Sequence, residues 1–288
     1  MVPRVVARKY AAFALLLPPL AFFLVFFVCP LGYLFFVSLH APSESELYGA
    51  RLTLANYGAI LGDGFYLAII RRTLLLAAAI LALALVLGYA TAYLIALLPQ
   101  RLRLWLLLLL FFPLMVSNVI RAYGWIAILG RRGLVNALLG WLGLSAAPLP
   151  LLYGFSAVTL GLMTILLPYM IVSIVNALAA IDRQYEEAAR SLGAGPWRTF
   201  FRVTLPLSSP GVASGMLLVF LLTLSAYVTV TLLGGPRTKI LVSLVYDATT
   251  SFEWPRAAAL AFVLLVLALA VSAPVFLLRR PDRAELPR

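Results

Sequence analysis

This sequence is short of the groups that most chemistry needs. Of its 288 residues, one is cysteine (Cys29) and one is histidine (His40). A single cysteine excludes an intrachain disulfide and a zinc site of thiolate type. A single histidine excludes the paired-histidine helix of a metalloprotease. Only 10 residues are Asp or Glu, and charged residues make up 11% of the chain against 64% hydrophobic. Soluble domains run nearer a quarter charged, so this chain cannot cover itself with a polar surface. An ordinary soluble enzyme, a disordered chain and a coiled coil are excluded. No Gly-x-x-x-x-Gly-Lys-Ser/Thr loop occurs, so the chain is not expected to bind ATP itself.

What is present is apolar length. The hydrocarbon core of a bilayer is ~30 Å thick and takes ~20 apolar helical residues to cross. Six segments qualify: Ala11–Val37, Thr73–Leu98, Leu104–Leu129, Leu151–Leu178, Gly211–Leu233 and Ala257–Leu278. Helix is the default, because an open sheet edge in lipid leaves backbone groups unpaired. Leu74–Leu87 lacks the alternation of a barrel strand. The expected fold is all-α and polytopic, with six transmembrane helices. In the third segment Pro113, Ser117, Asn118 and Arg121 interrupt the run; the alternative is that Leu104–Ile120 crosses alone with Ala122–Leu129 at the far interface. Pro18, Pro19, Pro30 and Pro168 lie inside other spans and read as kinks. The first run follows Arg4, Arg8 and Lys9 and is 27 residues long. That exceeds a signal core of about 7–15 residues, so it reads as an uncleaved anchor.

The net charge of +12 reads as topology before it reads as a nucleic-acid footprint, and no nucleic-acid partner is expected. Six spans put both termini on one side. With the termini cytoplasmic, the inner pieces hold 13 Lys and Arg and the outer pieces 9. The short loop Pro99–Arg103 carries two of the inner arginines. Three regions follow: 1–66 with the N-terminal tail, first span and outer loop; 67–279, a five-helix core; and the tail 280–288.

The connection 179–210 is the longest inner one. Asp182 suits a helix N-cap, with Glu186 and Glu187 in the first turns. Gly193 suits a C-terminal stop, and Gly195-Pro196 a second start. Trp197, Phe200 and Phe201 share one face, Arg198 and Arg202 another. Leu205-Pro206 reads as the end of that helix. Two short helices with a glycine elbow can transmit force to a soluble partner. The alternative is an amphipathic hairpin lying on lipid.

Glu187-Ala188-Ala189, Gly193 and, after nine intervening residues, Val203-Thr204-Leu205-Pro206 resemble the EAA loop of ABC-importer permeases, with Val203 where that pattern has Ile. The resemblance implies a type I ABC-importer fold in a bacterial inner membrane. It also implies that the loop is a coupling helix docking on a nucleotide-binding ATPase dimer, which holds the ATP and Mg. Glu187, Ala188, Ala189 and Gly193 would form the docking core, with Val203, Leu205 and Pro206 completing the motif. A second permease subunit and an extracytoplasmic solute-binding protein are the other implied partners. Ser117-Asn118-Val119-Ile120-Arg121-Ala122-Tyr123-Gly124-Trp125, Gly130-Arg131-Arg132-Gly133-Leu134-Val135-Asn136, Ser225-Ala226-Tyr227-Val228-Thr229 and Leu233-Gly234-Gly235 are similar to the first permease of spermidine/putrescine-type importers. That group includes relatives that carry other solutes.

A cation pathway should offer carboxylates and aromatic faces. No assigned span contains Asp or Glu. Asp247 and Glu253, near Tyr246 and Trp254, are the candidates for first contact with a cation, or else belong to a loop touching the binding protein. Asn118, Tyr123, Trp125 and Tyr227 are candidates to line the path; for Tyr123 and Trp125 the alternative is an interfacial aromatic belt. Arg121 is expected to snorkel to the outer face. A secondary transporter would need intramembrane charges or repeated halves. Neither is evident, and a secondary transporter leaves the 179–210 elbow unexplained; a passive channel is an open alternative without support in the residues.

Overall fold

The computed structural model describes residues 15–43, 46–145 and 147–278, and within them the backbone is helical with no strand. The helices are α1 (Leu15–Ser38), α2 (Ala55–Gly62), α3 (Gly64–Ala96), α4 (Gln100–Phe111), α5 (Asn118–Leu129), α6 (Leu134–Trp141), α7 (Phe155–Ala179), α8 (Arg183–Ser191), α9 (Pro196–Leu224), α10 (Tyr227–Gly234), α11 (Leu241–Thr250) and α12 (Trp254–Leu278). Five are long and apolar enough to cross a membrane, six when the bent pair Gln100–Met115 with Asn118–Trp141 is counted as one span. Among the described residues, the chain divides into two compact units, one ending at Asp63 and including Leu244–Val263, the other comprising Gly64–Ser243 and the segment from Leu264.

In the first unit, α1 exposes nearly all of its length. Its end is clamped by α2: Asn56 Nδ2 donates to the carbonyls of Ser38 (3.0 Å) and His40 (2.8 Å), and Ser38 Oγ lies 2.7 Å from the Tyr57 hydroxyl. The lone histidine sits against the rings of Phe36 and Tyr48 at 4.4 and 4.6 Å. Its Nδ1 lies 2.8 Å from the Phe36 carbonyl, a structural placement.

In the second unit, α7 is the centre and packs against α3 and α9. Leu162, Leu166, Met170, Ile171 and Ile174 of α7 join Leu76 and Ile80 of α3 in one core. Small residues let these backbones approach, as in other membrane helices. A Cβ on Gly211 would lie 2.3 Å from Ala177 Cβ and 2.6 Å from the Ser173 carbonyl. Between α3 and α9 a buried polar pair, Tyr89 hydroxyl to Ser208 Oγ at 2.8 Å, adds a fixed point.

Three spans differ from the sequence reading. The second begins at Gly64 rather than Thr73. The third span is broken: a 3₁₀ turn at Phe112–Met115 and extended backbone at Val116 bend it by 90° before α5. The fifth begins earlier and ends earlier than Gly211–Leu233. Leu205-Pro206 does not end a helix; α9 runs through it to Leu224, and Ser225-Ala226 then breaks the chain before α10. A wide π-turn at Phe200–Thr204 explains the passage. The Leu205 N–H donates to the Phe200 carbonyl five residues back, widening the helix where the proline ring would clash. Pro30 in α1 is passed the same way, with Cys29 N donating to the Leu24 carbonyl after a π-turn at Leu24–Val28.

Candidate functional site

The elbow forms from local rules. Asp182 Oδ1 accepts from the Gln184 N–H at 3.0 Å, capping α8. At the other end Gly193 N donates to the Arg190 carbonyl (2.9 Å) and Ala194 N to that of Ala189 (3.0 Å). This is the Schellman closure, and it places Gly193 at φ +81°, where a Cβ is strained. Nothing lies within 4 Å of a Cβ placed there, so conformation rather than space demands the glycine. Gly195 then caps α9, with Pro196 in its first turn.

Two contacts tie the elbow to the spans. Phe200 does not share an exposed face with its aromatic neighbours: its ring packs edge-on against Tyr89 (5.6 Å) and Tyr93 (5.4 Å) of α3. Trp197 and Phe201 stack on each other and stay exposed. The buried Thr204 hydroxyl donates to Glu186 Oε1 at 2.7 Å, joining α8 to α9. A cavity of about 360 Å³ opens there, lined by Arg103, Arg190, Glu186 and Glu187 over the ends of α3 and α7.

Of the sequence-predicted docking residues, Glu187, Ala188, Gly193 and Pro206 are exposed, and Ala189, Val203 and Leu205 are half-buried. Leu192, beside Gly193, is 89% exposed, an apolar tip the sequence reading did not single out. Glu186 was read only as a first-turn charge; its partner Thr204 lies 18 positions on, and no local periodicity signals such a pairing.

The candidate pathway residues separate. Asn118 and Tyr227 line a second cavity of about 330 Å³ with Arg121, Tyr169, Ser225 and Thr229. It lies where α4 breaks to α5 and where α9 breaks to α10. Tyr123 is exposed and does not line it. Trp125 turns to α7, its Nε1 donating to Thr164 Oγ1 at 3.4 Å. Asp247 and Glu253 belong to the first unit. Glu253 is ion-paired with Arg256, which offsets the charge it would present to a cation. Arg121 Nη2 donates to the Val116 carbonyl at 2.6 Å, across the bend before α5. The following loop is held by Asn136, whose Nδ2 donates to the carbonyls of Gly130 and Leu149, both at 3.0 Å, and whose Oδ1 accepts from Leu149 N at 2.8 Å. Among the described residues, no group of three His, Cys, Asp or Glu gathers in a way that could hold a metal.

Residues 84–280 match the family model for a binding-protein-dependent transport system inner membrane component. The spermidine/putrescine transport system permease protein PotB of Escherichia coli is 34% identical over 216 residues, covering 75% of this chain and 78% of that protein. PotB of Haemophilus influenzae is 32% identical over 246 residues, covering 85% of this chain and 86% of that one. The fold matches a chain of a bacterial ABC transporter involved in import of the acidic polysaccharide alginate, with TM-score 0.79 and 19% identity over 97% of this chain and 98% of that one. The chain thus belongs to the inner membrane components of binding-protein-dependent transport systems, the multi-pass permease subunits of ABC importers.

Proposed function

We propose that this chain forms one half of a solute pathway for polyamines of the spermidine/putrescine kind, and that its elbow couples the pathway to an ATPase. The solute class is supported by the kinship with PotB proteins over three quarters or more of the chain. The carrying observation for coupling is the double attachment of the elbow: Thr204 to Glu186 between its arms, and Phe200 to Tyr89 and Tyr93 of α3. A partner pushing on α8 therefore moves α9 and α3 with it. Exposed Glu187, Ala188, Gly193 and Leu192 offer that partner a small-residue surface with one apolar tip.

The partners in this reading are a second permease subunit, a nucleotide-binding dimer holding ATP and Mg, and an extracytoplasmic binding protein. The elbow and both termini face the cytoplasm. Arg101, Arg103, Arg190, Arg198 and Arg202 in α4, the elbow and the start of α9 favour that side. Asn118 and Tyr227 line the solute path, with Tyr123, Trp125, Asp247 and Glu253 as outlying candidates. ATP-driven closure of the dimer rocks the spans between inward- and outward-open states.

The test is reconstitution with the subunits encoded beside it, followed by ATP-dependent uptake of labelled spermidine and putrescine. Uptake of either supports the reading. Binding-protein-dependent ATP hydrolysis with no uptake of either overturns the solute class. Retention of the ATPase on purification after deletion of Arg183–Arg202 overturns the coupling role.

A further inference from the structure

A groove of about 460 Å³ between α3 and the start of α9 has no task in the proposed function. Tyr89, Ala90, Tyr93 and Leu94 of α3 line one side, and Pro196, Trp197 and Phe200 of α9 the other. The lining is aromatic and aliphatic, and the Tyr89 hydroxyl is taken up by Ser208 at 2.8 Å. Phe200 meets the rings of Tyr89 and Tyr93 edge-on at 5.6 and 5.4 Å, which holds the two sides together. The rim is open: Leu94 is 64% and Trp197 76% exposed. An open apolar groove of this kind marks a place where another apolar group sits.

Its position favours a lipid chain. α3 ends at Ala96, and Tyr89 lies seven residues before that end, roughly 10 Å along the axis. Arg101 and Arg103 follow in the first turn of α4. An apolar groove within the last two turns of a span, edged by tyrosine and tryptophan and followed by arginines, belongs at the boundary between hydrocarbon and headgroups. Acyl chains are the abundant apolar groups at that depth.

The head is set by the neighbouring cavity of about 360 Å³, which Tyr93 also lines. Along α3 that cavity takes Tyr93, Ala96 and Leu97, so it reaches nearer the helix end than the groove does. Its charged walls are Arg103, Arg190, Glu186 and Glu187, two of each sign. Thr204 occupies one oxygen of Glu186, and among the described residues the four form no ion pair with one another. Guanidinium groups bind phosphate, and carboxylates accept from a primary ammonium. A head of net negative charge would leave both glutamates opposed to it.

We propose that α3 and the elbow together bind one phospholipid of the phosphatidylethanolamine kind. Its acyl chain lies in the groove, and its phosphate and ammonium lie among Arg103, Arg190, Glu186 and Glu187. Ala188 and Leu192 line neither cavity and stay free for the ATPase. The proposal needs this chain to span the membrane and depends on neither the solute nor the coupling role.

The test uses the complete importer, purified in detergent and stripped of lipid. It is mixed with phosphatidylethanolamine, phosphatidylcholine or phosphatidylglycerol of identical chains, and retained lipid is counted by native mass spectrometry. The wild type is expected to retain phosphatidylethanolamine severalfold over the other two. Ala90→Phe fills the groove from an exposed position and is expected to lose that retention. Ala82→Phe, exposed on the same helix and lining neither cavity, is expected to keep it. Arg103→Gln is expected to erase the headgroup preference, and it decides if Ala90→Phe does not assemble. Equal retention of the three lipids by the wild type overturns the proposal. So does undiminished retention by assembled Ala90→Phe, or an unchanged preference in Arg103→Gln. Failure of spermidine uptake or of coupling overturns those readings alone, because lipid is counted without ATP or solute.

Discussion

The Thr204 hydroxyl donates to Glu186 Oε1 at 2.7 Å, and this bond joins the two arms of the elbow. Thr204 is buried and Glu186 half-buried, so water is a poor substitute for either partner. Hydrogen bonds to charged groups contribute about 1.5–3 kcal/mol. Thr204→Val is expected to loosen α8 against α9 by an energy in that range. Amide hydrogen exchange should then accelerate across Arg183–Ser191, with the α7 core unchanged. Equal exchange in both proteins would show that the bond does not hold the arms together.

Gly193 sits at φ +81°. An L side chain in that region costs roughly 1–2 kcal/mol. Gly193→Ala should therefore destabilise the turn by about 1 kcal/mol, and Gly193→Val by more, because its branched Cβ narrows the choice further. Gly58, exposed inside α2 with nothing near its would-be Cβ, is the contrast. Gly58→Ala is expected to stabilise by about 0.5–1 kcal/mol. Thermal unfolding of the two variants in detergent should move in opposite directions.

Gly211 and Gly215 both face α7, yet they should respond differently. A Cβ at Gly211 meets the Ser173 backbone carbonyl at 2.6 Å, which can move only if the helices part. A Cβ at Gly215 meets Met170 Sδ at 2.7 Å, part of a flexible side chain. Overpacking of this kind costs about 1–3 kcal/mol. Gly211→Ala should fall at the upper end and Gly215→Ala at the lower. Unfolding midpoints of the two variants give the order directly.

Orientation can be read chemically because Cys29 is the chain's single cysteine. In a Cys29→Ala background, Ser191→Cys in the elbow should resist an impermeant maleimide added to intact cells, and Ser145→Cys, between α6 and α7, should react. The reverse pattern would place the elbow outside and exclude ATPase coupling through it.

How much of this was legible in the residues depends on the range of the interaction. Uninterrupted apolar length located α1, α3, α7 and α12, because crossing a bilayer is a property of one segment alone. Asp182, Gly193 and Gly195-Pro196 announced the elbow, because caps and turns act over a few residues. The passage of α9 through Leu205-Pro206 was not legible, because a π-turn absorbs the proline and has no compositional mark. The break at Ser225-Ala226 was hidden within an apolar run for the same reason. The contact of Arg121 with Val116 was not legible, because it depends on the 90° bend before α5, a tertiary outcome. Phe200 keeps its contact with Phe201, but its packing against Tyr89 and Tyr93, far back in the chain, has no local mark.

The central claim is that the elbow transmits the ATPase cycle to the spans. The direct measurement is the ratio of solute transported to ATP hydrolysed in the reconstituted importer carrying Glu187→Ala with Gly193→Ala. The expected result is a ratio lowered tenfold or more, with the subunits still assembled. A ratio equal to that of the unaltered importer would contradict the claim.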